Sequence, residues 1–209
     1  MAAIVGKKVG MTQVFTEDGT RIPVTVIAAG PCRVSAIRES ERDGYAAVQL
    51  AFDEVPEGKI SKGQRGHLKK AGVPASRTLV EFRDEHLGLE EGPKVGDTVT
   101  VGQFEPGQRV KVSGTAVGKG FQGTVKRHGF ARGPVTHGSH NVRPPGSVGA
   151  SADPARVFKG VRMPGRMGGR RVTQRQLEVV EVDADRNLLL LRGAVPGPRN
   201  GTVEVRSDG

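Results

Sequence analysis

IVGKKVGMTQVF at residues 4–15, EDGT at 17–20 and IPVTVI at 22–27 are two β-forming runs around a turn. Val, Ile, Thr and Phe dominate both runs, and Asp18-Gly19 supplies hairpin turn chemistry. Pro23 sits near the start of the second run, where a missing N–H is tolerable. Working outward, Val34–Arg38 alternates weakly, Asp43-Gly44 offers a second tight turn, and Tyr45–Phe52 resumes the pattern. Leu79–Arg83 and Val95–Val101 read as further strands. So do Leu177–Val182 and Leu188–Leu191, joined by the turn cluster Asp183-Ala184-Asp185-Arg186-Asn187. Thr202–Arg206 reads as a final edge strand. The chain is therefore mainly β, with the meander spacing of a barrel or sandwich.

Residues 53–78 break the pattern. Lys59, Lys62, Arg65, Lys69, Lys70 and Arg77 alternate with Gly58, Gly63, Gly66, Gly72 and Pro74. This predicts a small, irregular insertion with one short helix, spanning about 53–95. The carboxylates Glu39, Glu41, Asp43, Asp84, Glu85, Glu90 and Glu91 fall in polar stretches and read as solvated surface.

Charge is the second decisive feature. Lys and Arg number 32 against 22 Asp and Glu, a net +10 with a pI near 10.3. Polyanions are the default partner class, nucleic acid first among them. The charge is not evenly spread. Residues 111–175 hold 13 bases and one acid, Asp153, for +12; the rest of the chain, with 19 bases and 21 acids, carries −2.

The same segment contains 13 Gly and 5 Pro but no Leu or Ile. Its scattered Val, Phe and Met residues cannot alone offset the entropy of ordering it. Composition leaves a disordered basic linker open, but the varied, non-repetitive spacing favours a functional extension. Going out and back, each limb would reach on the order of 100 Å at most. Arg outnumbers Lys nine to four in this segment, which suits bidentate phosphate contact. Aromatic content is 4%, with no Trp and one Tyr, so phosphate and sugar contacts are favoured over base stacking.

Other chemistry is poorly supported. Cys32 is the sole cysteine, so no internal disulfide forms and no thiolate cluster holds zinc. The N-terminus lacks signal-peptide character, and no apolar run approaches the roughly 18 residues of a membrane helix. A soluble, cytoplasmic protein is expected. Gly118-Lys119-Gly120-Phe121-Gln122-Gly123-Thr124-Val125 matches the glycine loop of kinases and of dinucleotide folds. No acid follows until Asp153, more glycine replaces the expected helix, and no H-R-D or D-F-G is present, so a turn that hugs phosphate backbone fits better. His137 and His140, with His128 nearby, lack the carboxylates or thiols of a metal site. Thr136, Ser139 and Ser147 lack a carboxylate to orient a base. No cofactor, metal or catalytic residue is expected.

Val5-Gly6-Lys7-Lys8-Val9-Gly10-Met11-Thr12-Gln13-Val14-Phe15 and Ile22–Ile27 open a resemblance that runs along the whole chain. It continues through Asp43–Gln49, Gly66–Val73, Gly118–Arg127, Thr136-His137-Gly138, Pro145–Gly149, Arg156–Gly160, Asn187–Leu191 and Gly193–Gly197. In these residues the chain resembles the bacterial large-subunit ribosomal protein L-three family. The resemblance implies a six-stranded β-barrel of the translation-protein type, with a small α+β insertion and a long, largely irregular basic loop. It implies a structural, non-enzymatic role: binding large-subunit rRNA, supporting early assembly and sending the loop toward the peptidyl transferase centre. Partners would be that rRNA and neighbouring large-subunit proteins.

On this reading the barrel is residues 1–110 with 176–209, and 111–175 is the rRNA-penetrating extension. Its tip lies around Arg143–Ser151. Candidate rRNA contacts are Lys7, Lys8, Lys69 and Lys70 outside it. Within it they are Lys119, Lys126, Arg127, His128, Arg132, His137, His140, Arg143, Ser147, Arg156, Lys159, Arg162, Arg166, Arg170 and Arg171. The chain departs from the family pattern at Ala150, where many members carry a methylated glutamine, so no such modification is expected. Pro144 and Pro164 also differ and should stiffen the chain locally. A standalone RNA chaperone using the same arm is the competing class, and a nucleotide-dependent enzyme a third.

Overall fold

Ala3, Ile4, Val5 and Gly6 are four consecutive buried residues, so both faces of the first strand are covered where it begins. The computed structural model shows why. It describes residues 2–83 and 92–208; Asp84, Glu85, Glu90 and Glu91 lie outside that range. Strand β1 (Ala3–Phe15) turns through Gly19 into β2 (Arg21–Ala29). β3 (Cys32–Arg38), α1 (Ser40–Asp43), β4 (Ala47–Glu54), α2 (Lys62–Lys70), β5 (Ser76–Phe82) and β6 (Thr98–Val99) follow. Next come β7 (Arg109–Thr115), β8 (Phe121–Gln122), α3 (Thr124–His128) and β9 (Gly165–Arg166). β10 (Arg171–Asp183), β11 (Leu188–Arg192) and β12 (Thr202–Ser207) end the chain.

Six strands close into an antiparallel barrel in the order β1, β12, β7, β10, β11, β2 and back to β1. Val24, Ile27, Val110, Val112, Leu189, Leu191 and Val205 are fully buried, and Val179 and Val203 nearly so. A separate sheet, ordered β5-β4-β3-β6, shares the apolar core with the barrel through Val34, Val48, Leu50 and Phe82. Burying a side chain of this size stabilises by about 1.5–3 kcal/mol. α2 covers the insertion with Leu68 against Ala51 and Val73, and its N-terminus is capped by Ser61, whose Oγ accepts from the Gln64 N–H at 3.3 Å.

Several sequence expectations change. Lys111–Thr115, read as the start of the basic arm, belongs to barrel strand β7, and Arg171–Arg175 belongs to β10. The compact units divide accordingly: one takes the residues up to Ala116 and from Arg171 onward, the other Val117–Arg170. The separate sheet already begins at Cys32 and ends at Val99, wider than the expected 53–95, because β3 and β4 pair with each other and not with the barrel. Val95–Val101 yields only two strand residues, followed by a 3-10 turn at Val101–Gln103. Thr202–Arg206 is no edge: β12 is bonded to β1 on one side and β7 on the other.

Gly6 shows how tightly the barrel closes. A Cβ there would stand 2.7 Å from the Ala28 carbonyl oxygen and 2.9 Å from the Ala29 Cα, both backbone atoms that cannot rotate away. Around Gly10 the same construction meets open space. Gly6→Ala should therefore lower stability in urea unfolding by about 1–3 kcal/mol. Gly10→Ala should stay within about 0.5 kcal/mol of the parent; equal effects would contradict this packing.

Candidate nucleic-acid interface

Paired backbone, not an apolar core, organises residues 117–170. β8 and β9 pair Phe121 with Arg166 and Gln122 with Gly165. Beyond them, the Lys119 N–H donates to the Met167 carbonyl and the Met167 N–H to the Gly120 carbonyl, each at 2.9 Å. Gly168, at φ +68°, is obligatory: a Cβ there would fall 2.0 Å from the Val117 carbonyl oxygen. α3 follows the glycine loop as a single short helix, ended by Gly129 in the left-handed region. The sequence reading expected no helix there. Five residues without a dinucleotide fold around them do not revive the nucleotide reading.

Arg127 fastens this stem. Its Nη1 donates to the Met163 carbonyl at 2.5 Å, and His128 Nε2 lies 3.0 Å from the same oxygen. Farther along, the Gly133 N–H donates to the Val142 carbonyl at 3.0 Å, and the Ser147 hydroxyl to the Gly149 carbonyl at 3.0 Å. The Arg156 guanidinium lies over the Phe158 ring, 5.5 Å from its centroid.

The cations predicted from sequence separate into two kinds. Lys7 pairs with Asp53 at 2.7 Å, and Lys8 Nζ donates to the Val195 carbonyl at 2.8 Å, so both tie the first unit together. Arg171 is bonded to Glu204, Lys111 lies 3.6 Å from Asp208, and Arg175 lies 3.4 Å from the same carboxylate. Burial pushes the Asp208 carboxyl up, yet the Gln176 N–H and Arg175 outweigh it and hold the group below the usual carboxylate range. Asp208 thus stays charged beside its bases.

Within 117–170 the picture reverses. Lys119, Lys126, Arg127, Arg132, Arg143, Arg156, Lys159, Arg162, Arg166 and Arg170 face one acid, Asp153. None of the ten forms an ion pair among the described residues. All but Arg127 are exposed, as are His137 and His140, while His128 is partly buried. Lys69 and Lys70 are exposed at the end of α2. The structure therefore gathers on one unit ten cations with no ion pair among the described residues, and gives Lys7, Lys8 and Arg171 protein partners.

A polar cluster in the first unit has partners throughout. Glu81 accepts from Tyr45 at 2.8 Å, Gln49 at 3.1 Å and Arg38 at 3.3 Å, while Gln49 Oε1 meets Ser35 and His67. The Tyr45 hydroxyl, then Arg38, holds the Glu81 carboxyl below its usual range. This is a lattice across a sheet face, with its carboxylate spent on structure. Among the described residues no three His, Cys, Asp or Glu side chains gather to hold a metal.

Comparison with known proteins decides the family. Residues 92–188 match the model of the family described as ribosomal protein L3. A protein of Trichlorobacter lovleyi named large ribosomal subunit protein uL3 is 52% identical over 203 residues, covering 97% of this chain and 95% of the relative. The chain belongs to the ribosomal protein L3 family. Proteins of the same name from Pelobacter propionicus and a Synechococcus strain are 51% and 49% identical, over 98% and 97% of this chain. Membership in the L3 family places the chain among structural, non-enzymatic proteins. Ala150, exposed near Ser147, carries no side-chain amide to methylate.

Sequence reasoning treats Arg127 as one more RNA contact and Phe121 as scattered apolar content. The structure gives Arg127 a fastening role and leaves Phe121 77% exposed. Residue type alone carries no signal for either. Arg127→Ala should speed hydrogen exchange at the Met167 amide by about tenfold, while Lys126→Ala leaves it unchanged. An unchanged rate in Arg127→Ala would contradict the fastening role.

Proposed function

We propose that this chain is a structural constituent of the large ribosomal subunit that binds large-subunit rRNA chiefly through residues 117–170. The observation that carries the reading is the set of ten bases without an ion pair among the described residues, on a segment that contributes nothing to the apolar core clusters. Phosphates supply the missing negative charge, and guanidinium groups bind them in pairs of hydrogen bonds. The names printed for the relatives, large ribosomal subunit protein uL3, support the assignment to that particle.

The contacts proposed are the ten bases together with His128, His137, His140 and Ser147, with Lys69 and Lys70 on the first unit. The stretch Arg143–Ser151 is the proposed tip, directed toward the peptidyl transferase centre. A segment destined to lie within folded RNA has to be in place before the RNA closes over it. That is the physical reason to assign the protein to early assembly. The barrel unit then meets neighbouring large-subunit proteins, in the ribosomes of the cytoplasm.

Counterion release makes the reading testable. With six to ten phosphate contacts, affinity for purified large-subunit rRNA should fall by about 10³–10⁵ between 50 and 200 mM salt. Filter binding across that range checks it, and a nearly flat salt dependence would overturn the proposal.

A further inference from the structure

Three phenylalanines lie in residues 117–170, and two of them have their rings engaged. Phe158 carries the Arg156 guanidinium on its face, and Phe130 packs against the His128 ring with centroids 5.9 Å apart. Phe121 has neither kind of partner among the described residues and is 77% exposed, the highest value of any large apolar side chain described. Leaving that much aromatic surface in water forfeits its burial energy.

Its surroundings keep it accessible. Gly118, Gly120 and Gly123 flank it, and at each of them the space a Cβ would take is empty. The two-residue pairing of β8 with β9 fixes the backbone beneath the ring. Arg166 is the direct cross-strand partner of Phe121, so both side chains leave the same face of the ribbon. Lys119 and Lys126 are exposed on either side in sequence.

We infer that Phe121 is a stacking platform for an unpaired base of the bound RNA, with Arg166 holding the adjoining phosphate. This rests on the RNA-binding reading above and deepens it. A flat apolar face with a guanidinium side chain directly across the strand selects a ligand that is itself flat, apolar on its faces and anionic at its edge. A nucleotide in a loop or bulge meets that description, whereas a duplex keeps its base faces covered. The low overall aromatic content argues against stacking as the general mode of binding, not against a single platform.

The chain contains no tryptophan, so Phe121→Trp introduces one indole reporter. Binding of purified large-subunit rRNA to the full chain is measured for the parent, Phe121→Ala, Phe121→Trp and Lys126→Ala across a salt series. Phe121→Ala should weaken binding about tenfold with an unchanged salt slope. Lys126→Ala should instead lower the slope by about one. Phe121→Trp should bind as the parent does, with its emission quenched on the RNA. An unquenched indole, Phe121→Ala binding within about twofold of the parent, or a lowered slope in Phe121→Ala would overturn the platform while leaving phosphate binding intact. Parent protein that fails to bind in a salt-dependent way removes the RNA-binding reading itself, and the platform with it.

Discussion

The ladder between β7 and β10 is the constraint on which the rest of the molecule depends. Thr115 stands opposite Arg171, Gly114 opposite Val172 and Ser113 opposite Thr173, with a hydroxyl pair at 2.8 Å between the last two. β7 also pairs with β12, and β10 with β11, so both strands are interior members of a closed barrel. The ends of residues 117–170 are thereby held as neighbours by two interior strands of the barrel. The closure entropy of so long an excursion grows only with the logarithm of its length, so a barrel of this kind can carry it at modest cost. Without that ladder nothing would hold the two ends of the segment side by side.

Charge follows the same boundary. Lys111, Arg171 and Arg175, on the ladder strands, find Asp208 and Glu204. One or two residues beyond the ladder the carboxylates stop, and ten bases accumulate against Asp153. Such a segment repels itself and has little apolar surface to bury. What order it has comes from backbone pairing and from Arg127 on the Met163 carbonyl. Exposed guanidinium groups on a backbone held at its stem are suited to meet a fixed array of phosphates.

Much of this was legible in the residues, wherever the deciding interaction is local. The β1–β2 hairpin rests on its own turn and its own β-branched runs. The β10–β11 pair rests likewise on its Asp183–Asn187 turn. β7 was hidden because its Arg109, Lys111 and Thr115 face outward and merge with the basic run after them. Its buried Val110 and Val112 are visible only once β12 is known to lie alongside. β12 reads as an edge from sequence for the same reason, since closure joins strands far apart in sequence. The split between barrel and separate sheet was equally hidden, because β3 and β4 carry the same pattern as barrel strands and only pairing tells them apart. At the interface, net charge gave the segment but not the division of labour. Lys8 and Lys126 are the same residue type, and the carbonyls of Val195 and Gly197 make one of them structural.

Residues 117–170, and the Arg143–Ser151 stretch in particular, are proposed to lie inside folded large-subunit rRNA. A photoreactive crosslinker placed at position 147 in assembled large subunits, with the rRNA adducts mapped by primer extension, tests it most directly. Adducts to nucleotides in the interior, near the peptidyl transferase centre, are expected. Adducts confined to the subunit surface would contradict it.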